Sequence, residues 1–110
     1  MKVLLVICNM PDATQARQLA ETLVVEQLAA CVNILPGCQS VYRWQGQLES
    51  ANEVPLLIKT TDTVYASLER RIQELHPYEL PEILALPLAA GLAAYQQWVR
   101  DAVQPPVAGV

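Results

Sequence analysis

Residues 30–46 read Ala-Cys-Val-Asn-Ile-Leu-Pro-Gly-Cys-Gln-Ser-Val-Tyr-Arg-Trp-Gln-Gly. The apolar start of this stretch is typical of a buried strand, which Pro36-Gly37 interrupts. After the break, alternate residues up to Trp44 fall on opposite faces, as they do in a second strand segment. With the turn at Gly46 and the apolar run at 54–60 that follows, the stretch predicts a long, kinked β-hairpin. Part of such a hairpin is expected to project from so small a domain.

The composition is apolar and poorly charged for a chain of 110 residues. This length favours one domain with a single core. Charged residues make up 16% of the chain, against roughly 25% in ordinary globular proteins. Because so few charges cannot coat a monomer, we expect a sizeable apolar surface to be buried between subunits. We assign residues 1–103 to one domain and residues 104–110 to a loose C-terminal tail.

The charge and the cysteines exclude several classes of protein. A net charge of −4 without a basic stripe argues against nucleic acid or an anionic membrane as partner, and it favours cations as charged ligands. The three cysteines lack Cys-x-x-Cys spacing, so neither a disulfide framework nor a structural zinc site is indicated. No signal-peptide pattern and no apolar run of about 20 residues is present. We therefore expect a cytoplasmic protein that does not insert into membranes.

Two elements precede the hairpin. Residues 2–8 are a continuous apolar run, typical of a central strand that is covered on both faces of its sheet. Asp12 followed by Gln15 resembles a capping box, and apolar residues then recur at helical spacing. These residues are Ala16, Leu19, Ala20, Leu23, Val24 and Leu28.

Two helices and a strand follow the hairpin. Asp62 is expected to cap a second helix, which Pro77 stops near Leu75. Residues 83–88 predict a fourth strand, at the sheet edge because Pro87 lacks an N–H group, and a last helix begins near residue 90. This order predicts an α+β fold, a ferredoxin-like βαββαβ sandwich with an antiparallel sheet, helices on one face and a C-terminal helix. Another subunit is expected to cover the other face.

Four residues are candidates for thiol or imidazole chemistry. His76 is the sole histidine and is expected at the surface, where an imidazole at a helix end commonly bonds terminal carbonyls. Cys8 lies where the central strand leaves the sheet, Cys31 is expected to pack as a small hydrophobe, and Cys38 is expected to be an accessible thiol. Thiolate and imidazole suit copper or zinc, but one cysteine and one histidine are too few ligands for a closed site.

A second set of candidates is charged or aromatic. Lys59, near the end of a central strand, needs a partner, for which Glu53 and Glu82 are the candidates. Together with Tyr78, these residues are predicted to line a ligand-binding cleft between subunits. The clefts, rather than the hairpin tip at 45–47, are expected to hold the ligand.

Five motifs occur in order along the chain. They are Ala29-Ala30-Cys31-Val32-Asn33-Ile34-Leu35-Pro36-Gly37, Ser40-x-Tyr42-x-Trp44-x-Gly46, Lys59-Thr60, His76-Pro77-Tyr78-Glu79-x-Pro81-Glu82 and Tyr95-x-x-Trp98. Together they resemble the CutA (CutA1-like) divalent-cation tolerance family. The resemblance implies a ferredoxin-like subunit, a homotrimer assembled through extended hairpin edges, and a link to tolerance of copper or other heavy metals. Because aromatic side chains contribute large buried areas at interfaces, we expect Tyr42 and Trp44 in the trimer interface.

The same resemblance implies copper ligation. In the family, copper ligands are associated with a cysteine at the end of the first strand and a histidine before Pro-Tyr, and the matching positions are Cys8 and His76. Leu75 stands where some members have a second histidine, and Asn9-Met10 stands where a threonine is often found. We therefore expect a weak, open copper site that water or a carboxylate completes, with other divalent cations as further candidates.

Three functions remain open at this point. The first is a trimeric metal-tolerance protein that binds metal or signals rather than catalyses. The second is a PII-like trimeric sensor with a metabolite in its inter-subunit clefts. The third is a thiol-dependent enzyme that uses Cys8 or Cys31 with His76, which is the least favoured because a catalytic cysteine needs a base and a group that orients this base. The sequence identifies no partner protein.

Overall fold

A computed structural model describes residues 1–103. The elements in chain order are β1 (Val3–Met10), α1 (Ala13–Val25), β2 (Cys31–Ile34), β3 (Cys38–Trp44), β4 (Gln47–Thr61), α2 (Tyr65–Leu75), β5 (Ile83–Pro87) and α3 (Ala93–Ala102). The tail predicted at 104–110 lies outside the described residues. Within the described part, no helix is long and apolar enough to cross a membrane.

The strands form one antiparallel sheet in the order β2-β4-β1-β5, and β3 pairs with β4 beyond the end of β2. This is the strand order of a ferredoxin-like fold, so the predicted fold class is confirmed. β1 lies between β4 and β5, as its apolar run predicted, and β5 is an edge strand that pairs with β1 alone. Pro87 ends β5 at this edge, where its missing N–H is tolerated.

The hairpin is built on β4, whose 15 residues make it the longest element described. Its first part pairs with β3 from Cys38↔Glu53 to Trp44↔Gln47, and its second part pairs with β1 and β2. The tip is a two-residue turn in which Gln45 and Gly46 both have positive φ, at 50° and 78°, a geometry that suits the right-handed twist of a hairpin. The predicted kink is confirmed at Gly37, where φ is 146°.

Pro55 lies inside β4, at the junction between its two partners. Its carbonyl accepts a hydrogen bond from the N–H of Leu35, at 2.9 Å. Because the N and C=O of one strand residue point to the same side, the missing N–H of Pro55 faces the gap between β2 and β3. The gap therefore allows β4 to continue unbroken through a proline.

The helices α1 and α2 pack on one face of the sheet. The core between them consists of Val6, Cys8, Met10, Ala16, Leu19, Leu23, Ala29, Leu56, Ile58, Leu68 and Ile72. As predicted, Asp12 caps α1: its carboxylate accepts hydrogen bonds of 2.8 Å from both the backbone and the side-chain nitrogen of Gln15. These bonds favour the ionised form and lower the pKa of Asp12.

Three local predictions are wrong. Asp62 does not cap α2, because Val64 occupies the N-cap and the Asp62 carboxylate instead accepts a 2.9 Å hydrogen bond from the N–H of Lys2. Val24 is exposed on α1 rather than buried in the core. The last helix begins at Ala93, a few residues later than expected.

The second face of the sheet is only partly covered. The predicted arrangement of helices on one face is wrong for α3, which contacts β1 and β4 from the side opposite the core and buries Val99. On β1, Val6 and Cys8 are buried, whereas Leu5 and Ile7, which alternate with them, are only half-buried. The expectation that β1 is covered on both faces therefore fails within one chain. Most of the large apolar side chains of α3 are exposed. The exposed side chains of β5, α3 and its N-cap residue include Leu84, Leu86, Leu92, Tyr95 and Trp98.

Candidate functional site

A groove with a volume of about 770 Å³ lies between the hairpin and the connector that follows α2. Its walls are Asn9, Ser40, Val41, Tyr42, Trp44, Glu53, Pro77, Tyr78, Glu79, Leu80 and Glu82. The pairing of Cys38 with Glu53 sets the register of the hairpin, so Tyr42 and Trp44 share one face with Glu53. Three of the residues predicted for the ligand cleft, namely Glu53, Tyr78 and Glu82, line this groove together.

The groove is acidic and aromatic. Among the described residues, its walls carry the carboxylates of Glu53, Glu79 and Glu82 and no lysine, arginine or histidine. Burial raises the pKa of Tyr78, and the negative charge of Glu53 adds to this effect. A volume of this size falls within the roughly 300–1,000 Å³ of small-molecule pockets.

Lys59, the fourth residue predicted for the cleft, is not a wall of this groove. It lies further along β4, roughly 20 Å from Glu53 by the rise of a strand. Its ammonium donates to the side-chain oxygen of Asn33 and lies 3.8 Å from the sulfur of Cys31. The expected pairing with Glu53 or Glu82 is therefore wrong, because β2 supplies the nearer acceptors.

Cys8 and His76, the predicted metal ligands, meet at one backbone carbonyl. The Nε2 atom of His76 lies 2.7 Å from the oxygen of Asn9, and the sulfur of Cys8 lies 4.0 Å from the same oxygen. The Nδ1 atom of His76 accepts a hydrogen bond from the backbone N–H of Tyr78 at 3.1 Å. Because Nδ1 is an acceptor, Nε2 carries the proton and donates to Asn9.

This geometry corrects the expected surface position of His76. Its side chain is 7% exposed, and both ring nitrogens have hydrogen-bond partners. Asn9 links β1 to the connector, a role that no sequence motif predicted. No local pattern signals the contact of His76 with Asn9, because the two residues are 67 positions apart in the sequence.

The Cys8 thiol is held in its protonated form. Burial raises its pKa to about 12, and the charges of Glu82 and Glu53 act in the same direction. A metal ion at Cys8 and His76 would have to displace the thiol proton and take a ring nitrogen from its present partner. Among residues 1–103, no group of three or more His, Cys, Asp or Glu side chains is arranged to hold a metal ion.

The thiols of Cys38 and Cys8 are predicted to differ sharply in reactivity. Cys38 is exposed, whereas Cys8 is fully buried with a raised pKa. Since the thiolate is the nucleophile, iodoacetamide at pH 8 should alkylate Cys38 first and leave Cys8 unmodified while the protein is folded. Mass spectrometry of peptides from a time course measures both rates. Alkylation in denaturant is the control, and equal rates for the two residues in the folded protein would contradict the assignment.

Comparison with known proteins identifies extensive similarity. The family model described as CutA1 divalent ion tolerance protein matches residues 4–102. A curated relative, the divalent-cation tolerance protein CutA of Thermus thermophilus, is 48% identical over 96 residues, which cover 87% of this chain and 93% of that protein. A solved structure from the same species has a TM-score of 0.91 at 45% identity and covers 93% of this chain and 99% of that one. The chloroplastic protein CutA of Arabidopsis thaliana is 37% identical over 92% of this chain, which spans 56% of that relative's length.

Proposed function

Because the chain belongs to the CutA1 divalent ion tolerance family, we propose that it confers tolerance of divalent cations, copper among them, as a cytoplasmic homotrimer. It acts by binding metal or by signalling rather than by catalysis. The observation that carries this proposal is the similarity to divalent-cation tolerance proteins over nearly the whole domain. None of the names of these relatives is that of an enzyme.

The exposed surface supports the trimer. Leu84 and Leu86 on the second face of the sheet are exposed, as are Tyr42 and Trp44 on the hairpin. Exposed apolar side chains in this number favour burial between subunits in a soluble protein. The free edge of β3, which pairs only with β4, offers backbone groups to a neighbouring subunit.

Copper binding is proposed at Cys8 and His76, in a site that forms only when Cys8 loses its proton and His76 releases one ring nitrogen. We expect binding to be weak at neutral pH and to strengthen as pH rises, because the thiol proton competes with the metal and the pKa of Cys8 is raised. The third ligand would be water or a carboxylate. Other divalent cations have less affinity than Cu²⁺ for such a donor set.

Titration of copper under reducing conditions tests this site. The Cys8→Ser and His76→Ala variants should each bind copper at least about tenfold more weakly than the wild type, since each removes one of two protein ligands. Cys38→Ser is the matched control, because it removes an exposed thiol and leaves the pair intact. Equal affinity in all four proteins would show that neither residue is a ligand.

Tolerance itself is tested in cells. Deletion of the gene in its source organism should lower the copper concentration that halts growth, and a wild-type copy should restore the original concentration. Unchanged growth of the deletion strain across copper, zinc and cadmium would overturn the proposed function.

A ligand cleft between subunits is also proposed; of the four residues predicted for it, Glu53, Tyr78 and Glu82 remain, because Lys59 pairs with Asn33 elsewhere on β4. The groove described above supports a role for these three. Neither the sensor nor the enzyme alternative is supported by the comparisons. The enzyme alternative also lacks a thiolate at neutral pH, given the raised pKa of Cys8, and Cys31 lies beside Lys59 rather than beside an imidazole.

A further inference from the structure

The groove between the hairpin and the connector is lined by aromatic and acidic side chains. Neither of the proposed metal ligands, Cys8 and His76, is among them. Three aromatic rings, those of Tyr42, Trp44 and Tyr78, line the groove together with the carboxylates of Glu53 and Glu82. The rings of Tyr42 and Trp44 are partly exposed rather than packed into the core. Aromatic faces attract cations through their quadrupole, and carboxylates attract them directly.

We propose that this groove binds a small organic cation, a primary ammonium or guanidinium compound, between its aromatic rings and its carboxylates. The inference rests on the proposed function, since it names the ligand class for the cleft proposed above. It also changes the expected chemistry of this cleft. The sequence predicted a mixed-charge cleft containing Lys59, whereas Lys59 is bonded to Asn33 elsewhere on β4.

The wall chemistry excludes anions. Within residues 1–103, the groove has no cationic side chain to pair with a carboxylate or phosphate group. The negative potential also reaches neighbouring groups, because the charges of Glu53 and Glu82 add to burial in raising the pKa of Cys8. An anion in the groove would therefore meet like charges without compensation.

The geometry also disfavours a bare metal ion as the occupant. The carboxylates of the groove do not form a cluster of metal-ligating side chains within residues 1–103. The volume of about 770 Å³ far exceeds that of one ion. A ligand with a cationic head and an apolar stem would place charge at the carboxylates and carbon atoms against the rings, the combination that such pockets favour.

A series of four-carbon probes tests the charge preference without any change to the groove. Butylguanidinium and butylammonium are compared with butan-1-ol and butyrate, which have the same stem and a neutral or anionic head. Trp44 reports binding by fluorescence in a Trp98→Phe background, which removes the other indole. Both cations are expected to bind at least about tenfold more tightly than the alcohol, and butyrate is expected not to bind. Equal affinity for the alcohol and the cations would overturn the inference.

Matched variants locate the site. Glu53→Gln and Glu82→Gln should each weaken butylguanidinium binding by about fivefold or more, and Tyr78→Leu should weaken it more than Tyr78→Phe, which keeps the ring. Glu21→Gln is the control, because Glu21 pairs with Arg17 on the exposed side of α1. An equal loss in the control, or displacement of butylguanidinium by a lower concentration of Mg²⁺, would overturn the inference.

The two proposals fail separately. Sedimentation and copper-tolerance assays on the same proteins report on the proposed function. A trimer that confers tolerance but shows no preference for the cationic probes overturns only the ligand class. A protein that prefers these cations but confers no tolerance supports the ligand class and overturns the tolerance function.

Discussion

Replacing Leu68 with alanine is expected to lower the free energy of unfolding by about 2–5 kcal/mol, the range for a buried leucine that leaves a cavity. Leu68 is 0% exposed on α2 and packs in the core between the helices and the sheet. The β-sheet on one side and α1 on the other restrict how far the site can collapse. Denaturant unfolding of both proteins, at one fixed protomer concentration, measures the difference.

Leu75→Ala provides the matched control for this experiment. Leu75 ends the same helix and is 40% exposed. We expect this change to cost no more than about 1 kcal/mol, because part of the side chain already contacts water. Equal losses for the two variants would contradict the assignment of the core.

The second large effect concerns assembly. The wild-type protein is expected to sediment as a trimer at micromolar concentration, and Trp44→Ala is expected to produce monomers at that concentration. Truncating a buried aromatic side chain costs about 3–5 kcal/mol, and a cyclic trimer repeats each interface three times. Sedimentation velocity over a range of concentrations measures the shift.

Leu48→Ala is the control for assembly. Leu48 lies on β4 within the same hairpin and is 78% exposed. Because side chains alternate along β4, Leu48 lies on the hairpin face opposite Trp44. The Leu48→Ala variant therefore tests whether truncating any apolar side chain of the hairpin disrupts the trimer. A wild-type protein that sediments as a folded monomer would refute the trimer.

Local signals in the sequence predicted most of the fold. The cap at Asp12, the kink at Gly37 and the stop before Pro77 depend on residues within one turn of each other, and each is confirmed. The apolar run of β1 is also a local signal. It predicted the central position of β1 because continuous apolar runs are typical of strands inside a sheet.

The wrong predictions involve residues whose partners are distant in sequence. Asp62 has a residue type that caps helices, but it bonds Lys2 across the sheet instead. Lys59 needed a partner, and strand register rather than charge supplied Asn33. The pairing of His76 with the Asn9 carbonyl likewise depends on how the connector folds back onto β1. The spacing of apolar and polar residues along the sequence does not predict such long-range contacts.

The hydrogen bonds that hold His76 have an evolutionary consequence. Its acceptor at position 9 and its donor at position 78 are both main-chain groups. Every amino acid supplies the first group, and every amino acid except proline supplies the second. A change of side chain at position 9 therefore leaves this hydrogen bond of His76 in place. At position 78 only proline is forbidden by the hydrogen bonds of His76, and any other restriction on Tyr78 must arise from the groove that its ring lines.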